Sequence, residues 1–134
     1  MTGTGAQHLV QVRWPDLDGL GHVNHTAVLA LLEVGRDAVL GRRGLLPHQY
    51  VVRHCEVSYE GELRPTGPDV VYRCDSLAPG TTSVRTRERL LDDQGRTAVT
   101  AVFTLVRWDA DAHVPRPLTD EERERLSDLQ EETA

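Results

Sequence analysis

The stretch at residues 14–33, WPDLDGLGHVNHTAVLALLE, places two carboxylates, two glycines, two histidines and an asparagine directly before a long apolar run. The glycines indicate a loop with unusual backbone angles. From residue 25 to 43 apolar residues recur with helical spacing and leave only a narrow polar stripe, which predicts a largely enclosed helix. Asn24 or Thr26 can cap its first turn. The stretch therefore predicts a polar loop at the N-terminus of a buried helix.

The composition indicates a single folded domain that spans residues 1–134. Hydrophobic residues make up 39% of the 134-residue chain and charged residues 27%, with a net charge of −6. This negative charge argues against nucleic acid or an anionic membrane as the main partner. All 15 basic residues are arginine, which excludes lysine Schiff-base chemistry. Cys55 and Cys74 give no disulfide framework, which fits a reducing compartment. The sequence shows neither a signal peptide nor a membrane span. We therefore expect a cytoplasmic protein.

The remaining segments predict strands on both sides of the helix. A first strand covers residues 7–14, and four more cover residues 51–61, 69–78, 84–92 and 97–108. Short turns join the last three, which favours an antiparallel meander. One helix cannot cover both faces of a five-stranded sheet, so the sheet wraps around the helix or a partner subunit covers the rest. A core at about residues 8–109 is followed by a short C-terminal helix at about 119–131, which defines an α+β fold.

The order of these elements resembles the hotdog fold, and the chain is similar to the 4-hydroxybenzoyl-CoA thioesterase-like family of acyl-CoA thioesterases. The similarity covers about residues 10–108, and its centre is D-x-D-x-x-G-H-V-N followed by a helix with E-x-x-R. The matching positions are Arg13, Asp16, Asp18, Gly21, His22, Val23, Asn24, Glu33 and Arg36. The resemblance implies an antiparallel five-stranded sheet wrapped around a long central helix, and a dimer or tetramer with sites at subunit interfaces.

The resemblance also implies a catalytic role for several of these positions. Asp18 matches the family's catalytic carboxylate, as nucleophile or as general base, and the backbone N–H of His25 matches the group that polarises the thioester carbonyl. His22 and Asn24 match polar residues beside that aspartate in related acyl-carrier thioesterases, and Gly21 allows the chain to approach the substrate closely. In the plant-type carrier enzymes an asparagine follows the aspartate by two positions, where this chain has Leu20, so that version of the mechanism is not transferred.

Other candidates have structural alternatives that the sequence leaves open. Glu33 is a second catalytic carboxylate or a polar helix residue paired with Arg36, and Tyr59 flanks the pocket or packs in the core. Coenzyme A needs phosphate contacts, for which Arg85 and Arg87 are candidates, with Arg89 on the same strand face; the alternative is a solvated charged face beside a tight turn. The turn that contains Thr82 and Ser83 offers further donors. His22 and His25 have the spacing of a metal pair but lack helical i, i+4 geometry, so we expect no metal and no cofactor.

The leading hypothesis is hydrolysis of an acyl-CoA or acyl-carrier-protein thioester to a free acid and a thiol. Two alternatives remain open: a hotdog dehydratase or hydratase that acts on acyl thioesters, and a non-catalytic protein that binds acyl-CoA. The sequence predicts neither the acyl group nor the choice between dimer and tetramer.

Overall fold

The computed structural model describes residues 6–130, so the first five and last four residues of the predicted domain lie outside it. Its helices and strands are β1 (Gln7–Gln11), α1 (His25–Gly41), β2 (Tyr50–Tyr59), β3 (Asp69–Pro79), β4 (Ser83–Leu91), β5 (Thr97–Asp109), β6 (Val114–Pro115) and α2 (Asp120–Leu126). A short 3₁₀ turn at Ser127–Leu129 continues α2. The predicted C-terminal helix is therefore shorter than expected, and its last predicted residue lies outside the described range.

The strands form one antiparallel sheet in the order β1-β3-β4-β5-β2. β3, β4 and β5 are consecutive neighbours, so the predicted meander is confirmed. The two-residue strand β6 pairs with the end of β5 and was not predicted. It is too short to show alternation, and proline occupies one of its two positions. β2 forms one edge of the sheet and β1 the other.

α1 lies against the concave face of the sheet, where it contacts β1, β3 and β4. Gly35 permits this close approach: a Cβ atom at that position would lie 2.1 Å from Cγ of Tyr72 on β3. On the side of α1 that faces the sheet, Leu32, Val39 and Leu40 are fully buried. Among residues 6–130 no helix is both long and apolar enough to cross a membrane.

The position of Arg36 on α1 differs from the sequence-based expectation. Arg36 was expected on the polar face beside Glu33, but its side chain is 2% exposed and bonds to Glu88 on β4, with Nε–Oε2 2.8 Å and Nη2–Oε1 3.1 Å. Its guanidinium also lies 3.7 Å from the ring centroid of Phe103. The expected Glu33–Arg36 pair is therefore wrong, because Arg36 belongs to the stripe that faces the sheet.

The opposite stripe of α1 is exposed in the single chain. Leu29 and Val34 keep 47% and 51% of their surface accessible, and Glu33 is exposed between them. The concave face of β2 is similarly open, with Val52 47% exposed and Tyr59 55% exposed. The helix is therefore enclosed on the side of β1, β3 and β4 only.

Candidate active site

The loop before α1 is held in place by Asp16. This residue is 6% exposed, and its carboxylate accepts a hydrogen bond from the backbone N–H of Arg13 at 2.8 Å. Its carbonyl oxygen accepts from the N–H of Asn24 at 2.8 Å, which closes the loop at its base. Asp16 therefore orders the loop through local hydrogen bonds.

Asp18 lies at the exposed tip of this loop. Its Oδ1 accepts hydrogen bonds from the backbone N–H groups of Leu20 at 2.8 Å and His22 at 3.0 Å. These two bonds favour the ionised form and lower the pKa of Asp18 below its usual value. Gly21 has φ of 81°, a left-handed conformation that glycine adopts without strain and that lets the chain turn back beneath Asp18. Asp18 is therefore a carboxylate at neutral pH, with Oδ2 free of these backbone bonds.

His22 lies between the loop and the segment that follows β2. Its Nδ1 is 3.9 Å from Oδ2 of Asp18, and its Nε2 is 2.8 Å from Nη2 of Arg64 and 3.3 Å from Oε1 of Glu62. The sequence did not indicate Arg64 or Glu62, because they lie some forty residues from His22 along the chain, and no local pattern reports such a contact.

The N-terminus of α1 opens beside this cluster. Asn24 is the N-cap, and its side-chain oxygen accepts from the backbone N–H of Ala27 at 2.9 Å. The capping role predicted for Asn24 is therefore confirmed, and the hydroxyl of Thr26 donates to the same oxygen. The N–H groups of His25 and Thr26 precede the first intrahelical bond and carry the partial positive charge of the helix end.

A pocket of about 600 Å³ brings these groups together. The loop and helix supply one wall, and the end of β2, the segment after it and β5 supply the other. Its lining consists of Asp18, His22, Val23, Asn24, His25, Val28, Tyr59, Gly61, Glu62, Leu63 and Val99. The mixture of a carboxylate, a helix N-terminus and apolar walls suits a substrate with a polar carbonyl and an apolar chain.

Of the two predicted residues farther along the chain, Tyr59 lies in the pocket and Glu33 does not. Tyr59 lines the pocket and its hydroxyl lies 3.5 Å from the carbonyl oxygen of His25, which favours the pocket role over core packing. Glu33 lies eight residues beyond His25 on the exposed stripe of α1, outside the residues that line this pocket.

The residues predicted to bind coenzyme A are not brought to this pocket within one chain. Arg85 and Arg87 share the exposed outer face of β4, as expected, because Thr86 between them and Glu88 after them face α1. Arg85 lies opposite Thr104 and Arg87 opposite Val102, whereas the pocket uses Val99 on the other face of β5. Thr82 and Ser83 lie at the far end of the sheet, where Ser83 pairs with Val106.

No metal-binding geometry is found among residues 6–130, in which no group of three or more histidine, cysteine or acidic side chains could hold an ion. Both cysteines are free: Cys55 is exposed, and burial raises the pKa of the Cys74 thiol to about 12.

Solved structures with the same architecture include proteins of the thioesterase superfamily, and the predicted hotdog fold is confirmed. A Thermus thermophilus thioesterase complexed with coenzyme A and zinc is 29% identical, with 97% of both chains covered and a TM-score of 0.80. A predicted thioesterase from Bacillus stearothermophilus is 24% identical, with 96% of this chain and 98% of that chain covered and a TM-score of 0.79. A thioesterase-superfamily protein from Jannaschia is 19% identical, with 94% and 93% covered and a TM-score of 0.82.

No family model matches the chain, and no curated protein matches it. The structural neighbours support a thioesterase at the level of the superfamily. The narrower resemblance to the 4-hydroxybenzoyl-CoA thioesterase-like family stays a prediction.

Proposed function

We propose that this protein is an acyl-CoA thioesterase that hydrolyses its substrate at the mouth of α1. The observation that carries the proposal is the shared pocket: an ionised Asp18 and the N-terminus of α1 face the same space of about 600 Å³. The 29% identical neighbour is complexed with coenzyme A, which supports a coenzyme A thioester as substrate. Acyl-carrier-protein thioesters have the same reacting group and are the variant to test beside it.

The chemistry follows from the charge distribution in the pocket. Attack on a thioester carbonyl makes an oxyanion, and the backbone N–H of His25 at the helix N-terminus can stabilise that charge as it develops. One such donor typically contributes about 10²–10³ in rate. Hydrolysis also needs a group that attacks the carbonyl carbon or activates water, and Asp18 supplies it, as a nucleophile or as the general base for water. Val28 and Val99 provide apolar wall for the acyl chain.

The test is release of coenzyme A, followed with a thiol reagent, from short, medium, long and aryl acyl-CoAs and from an acyl-carrier-protein thioester. We expect Asp18→Asn to lose most turnover, about 10²-fold or more. The amide oxygen can still accept the two backbone bonds that hold the loop, so folding should be retained. Asp109→Asn is the matched control, because Asp109 is also an aspartate whose Oδ1 accepts two backbone bonds, from Asp111 and Ala112.

Three outcomes would contradict this proposal in whole or in part. Equal turnover in Asp18→Asn and Asp109→Asn would remove the assignment of Asp18. Water addition without thiol release would indicate the dehydratase or hydratase alternative, and tight acyl-CoA binding without any reaction would indicate the binding protein.

We also propose that Arg85 and Arg87 bind the nucleotide of coenzyme A held in the site of a neighbouring protomer. Their place on the outer face of β4 excludes contact with the pocket of their own chain, whereas a homo-oligomer can bring this face to another site. Replacing either arginine with alanine should raise KM for acyl-CoA more than KM for the matching acyl-pantetheine, which lacks the nucleotide. An equal change in both KM values would contradict this role. Thr82 and Ser83 stay candidates for the same subsite.

A further inference from the structure

Both ring nitrogens of His22 face charged side chains. Its side chain is 18% exposed and meets three charged groups. Nε2 faces Nη2 of Arg64 at 2.8 Å and Oε1 of Glu62 at 3.3 Å, while Nδ1 faces Oδ2 of Asp18 at 3.9 Å. Arg64 and Glu62 also pair with each other at 3.3 Å, so the arginine contacts both the carboxylate and Nε2.

An arginine can only donate hydrogen bonds, so a ring nitrogen that bonds to it must present a lone pair. The closer partner of Nε2 is Arg64, and the neutral imidazole then carries its single proton on Nδ1. We infer that Arg64 is a positioning residue that fixes neutral His22 as the Nδ1–H tautomer, which makes His22 a donor and leaves Asp18 as the base of the reaction. This inference deepens the proposed function and rests on it for its catalytic part.

The distance between Nδ1 and Oδ2 suits a shared water molecule. At 3.9 Å the two atoms are too far apart for a direct hydrogen bond. A water can accept from Nδ1–H and donate to Oδ2 at ordinary distances of about 2.8 Å. The hydrolytic water would then keep one lone pair for attack on the thioester carbonyl.

The reaction balances with these groups alone. The water oxygen bonds to the carbonyl carbon while its proton passes to Oδ2 of Asp18, and the oxyanion forms at the helix N-terminus. Collapse of the tetrahedral intermediate breaks the C–S bond, and the leaving thiolate takes the proton back from Asp18. The products are the free acid and the thiol. The opposite tautomer would donate from Nε2 to Glu62 and would offer Nδ1 as a competing base.

The tautomer can be read without substrate. In protein labelled with ¹⁵N-histidine, long-range ¹H–¹⁵N spectra at neutral pH distinguish protonated from unprotonated ring nitrogens, and His22 is identified by the signal lost in His22→Asn. We expect the proton on Nδ1 in the wild type and a reversed tautomer ratio in Arg64→Met, where Glu62 becomes the remaining partner of Nε2. Arg96→Met is the matched control, because Arg96 lines the adjoining groove with Arg64 and is not bonded to His22. A wild-type proton on Nε2, or no change in Arg64→Met, would overturn the inference.

The kcat values of two His22 variants then show whether His22 acts as a hydrogen-bond donor or as the base. An asparagine side chain places its N–H close to the position of Nδ1, whereas glutamine places it close to Nε2. We expect His22→Asn to lower kcat less than tenfold and His22→Gln to lower it at least tenfold. A loss in His22→Asn equal to that in Asp18→Asn would show that the imidazole is the base. If the wild type hydrolyses no thioester, the proposed function fails while the NMR result still decides the tautomer.

Discussion

At the scale of single residues, the buried pair of Arg36 and Glu88 is the most consequential feature outside the pocket. Glu88 is 1% exposed and accepts a third bond from the hydroxyl of Thr86 at 2.6 Å, so both of its oxygens are satisfied. Charges taken out of water are tolerated only with such complete pairing. The pair therefore fixes α1 against β4 through specific bonds as well as apolar contacts.

Removal of one partner should cost far more than removal of both. We expect Arg36→Met to lower the free energy of unfolding by about 3–5 kcal/mol, because it leaves the Glu88 carboxylate buried without its cation. The double variant Arg36→Met/Glu88→Leu should be more stable than Arg36→Met alone. Urea denaturation of the wild type and both variants measures this. A double variant less stable than the single one would show that the orphaned Glu88 charge is not what destabilises Arg36→Met.

The sequence could predict residues whose role is local, and it missed those whose partner is distant. The cap at Asn24 follows from short-range rules and is confirmed. The burial of Arg36 had a local signal, since Arg36 lies four residues from both Leu32 and Leu40, which are buried. Glu88 had one too, because it alternates with outward-facing arginines on β4. The contact of His22 with Arg64 had none, because it depends on how the chain closes after β2.

At the scale of elements, a substitution at the N-terminus of α1 should affect stability and catalysis in opposite directions. Asn24→Asp keeps a good N-cap and adds a negative charge that favours a helix N-terminus by about 0.3–1 kcal/mol. The same charge lies in the pocket where we expect the oxyanion, and it should oppose that developing charge. The variant should therefore melt at the wild-type temperature or above it, with kcat at least tenfold lower.

Asn24→Ala is the control for this helix terminus, because it removes the cap without adding charge and should cost about 1 kcal/mol of stability. Thermal melting and coenzyme A release on the same preparations give both readouts. An unchanged kcat in Asn24→Asp would mean that the oxyanion does not form at this end of α1.

The bounds of the longer elements were predictable, because alternation and helical periodicity are strong over ten or more residues. β5 was expected at residues 97–108 and is observed at Thr97–Asp109. β1 was expected at residues 7–14 and ends at Gln11, since Trp14–Asp16 forms a 3₁₀ turn instead. A short amphipathic run before a proline does not show whether its last residues pair with a neighbour or begin the next turn.

At the scale of the whole molecule, the apolar surface formed by β2 and the exposed stripe of α1 is not packed against any other element within residues 6–130. β2 is a ten-residue edge strand, and its concave face is open beside the exposed stripe of α1. Long exposed edges with apolar side chains favour pairing with another strand. A second copy placed along β2 would cover Val52 and the apolar stripe of α1 together, and would stand beside the pocket that Tyr59 lines.

We therefore expect a homo-oligomer whose stability depends on β2. Val52→Arg should shift the mass measured by light scattering after gel filtration toward the monomer, because a charge on the concave face of β2 would be buried without a partner. Leu9→Arg is the matched control: Leu9 is 62% exposed on β1, the opposite edge of the same sheet. If Leu9→Arg dissociates the assembly and Val52→Arg does not, the copies meet along β1. A wild-type monomer at micromolar concentration would mean that the pocket works within one chain, and Arg85 and Arg87 could not then reach a neighbouring site.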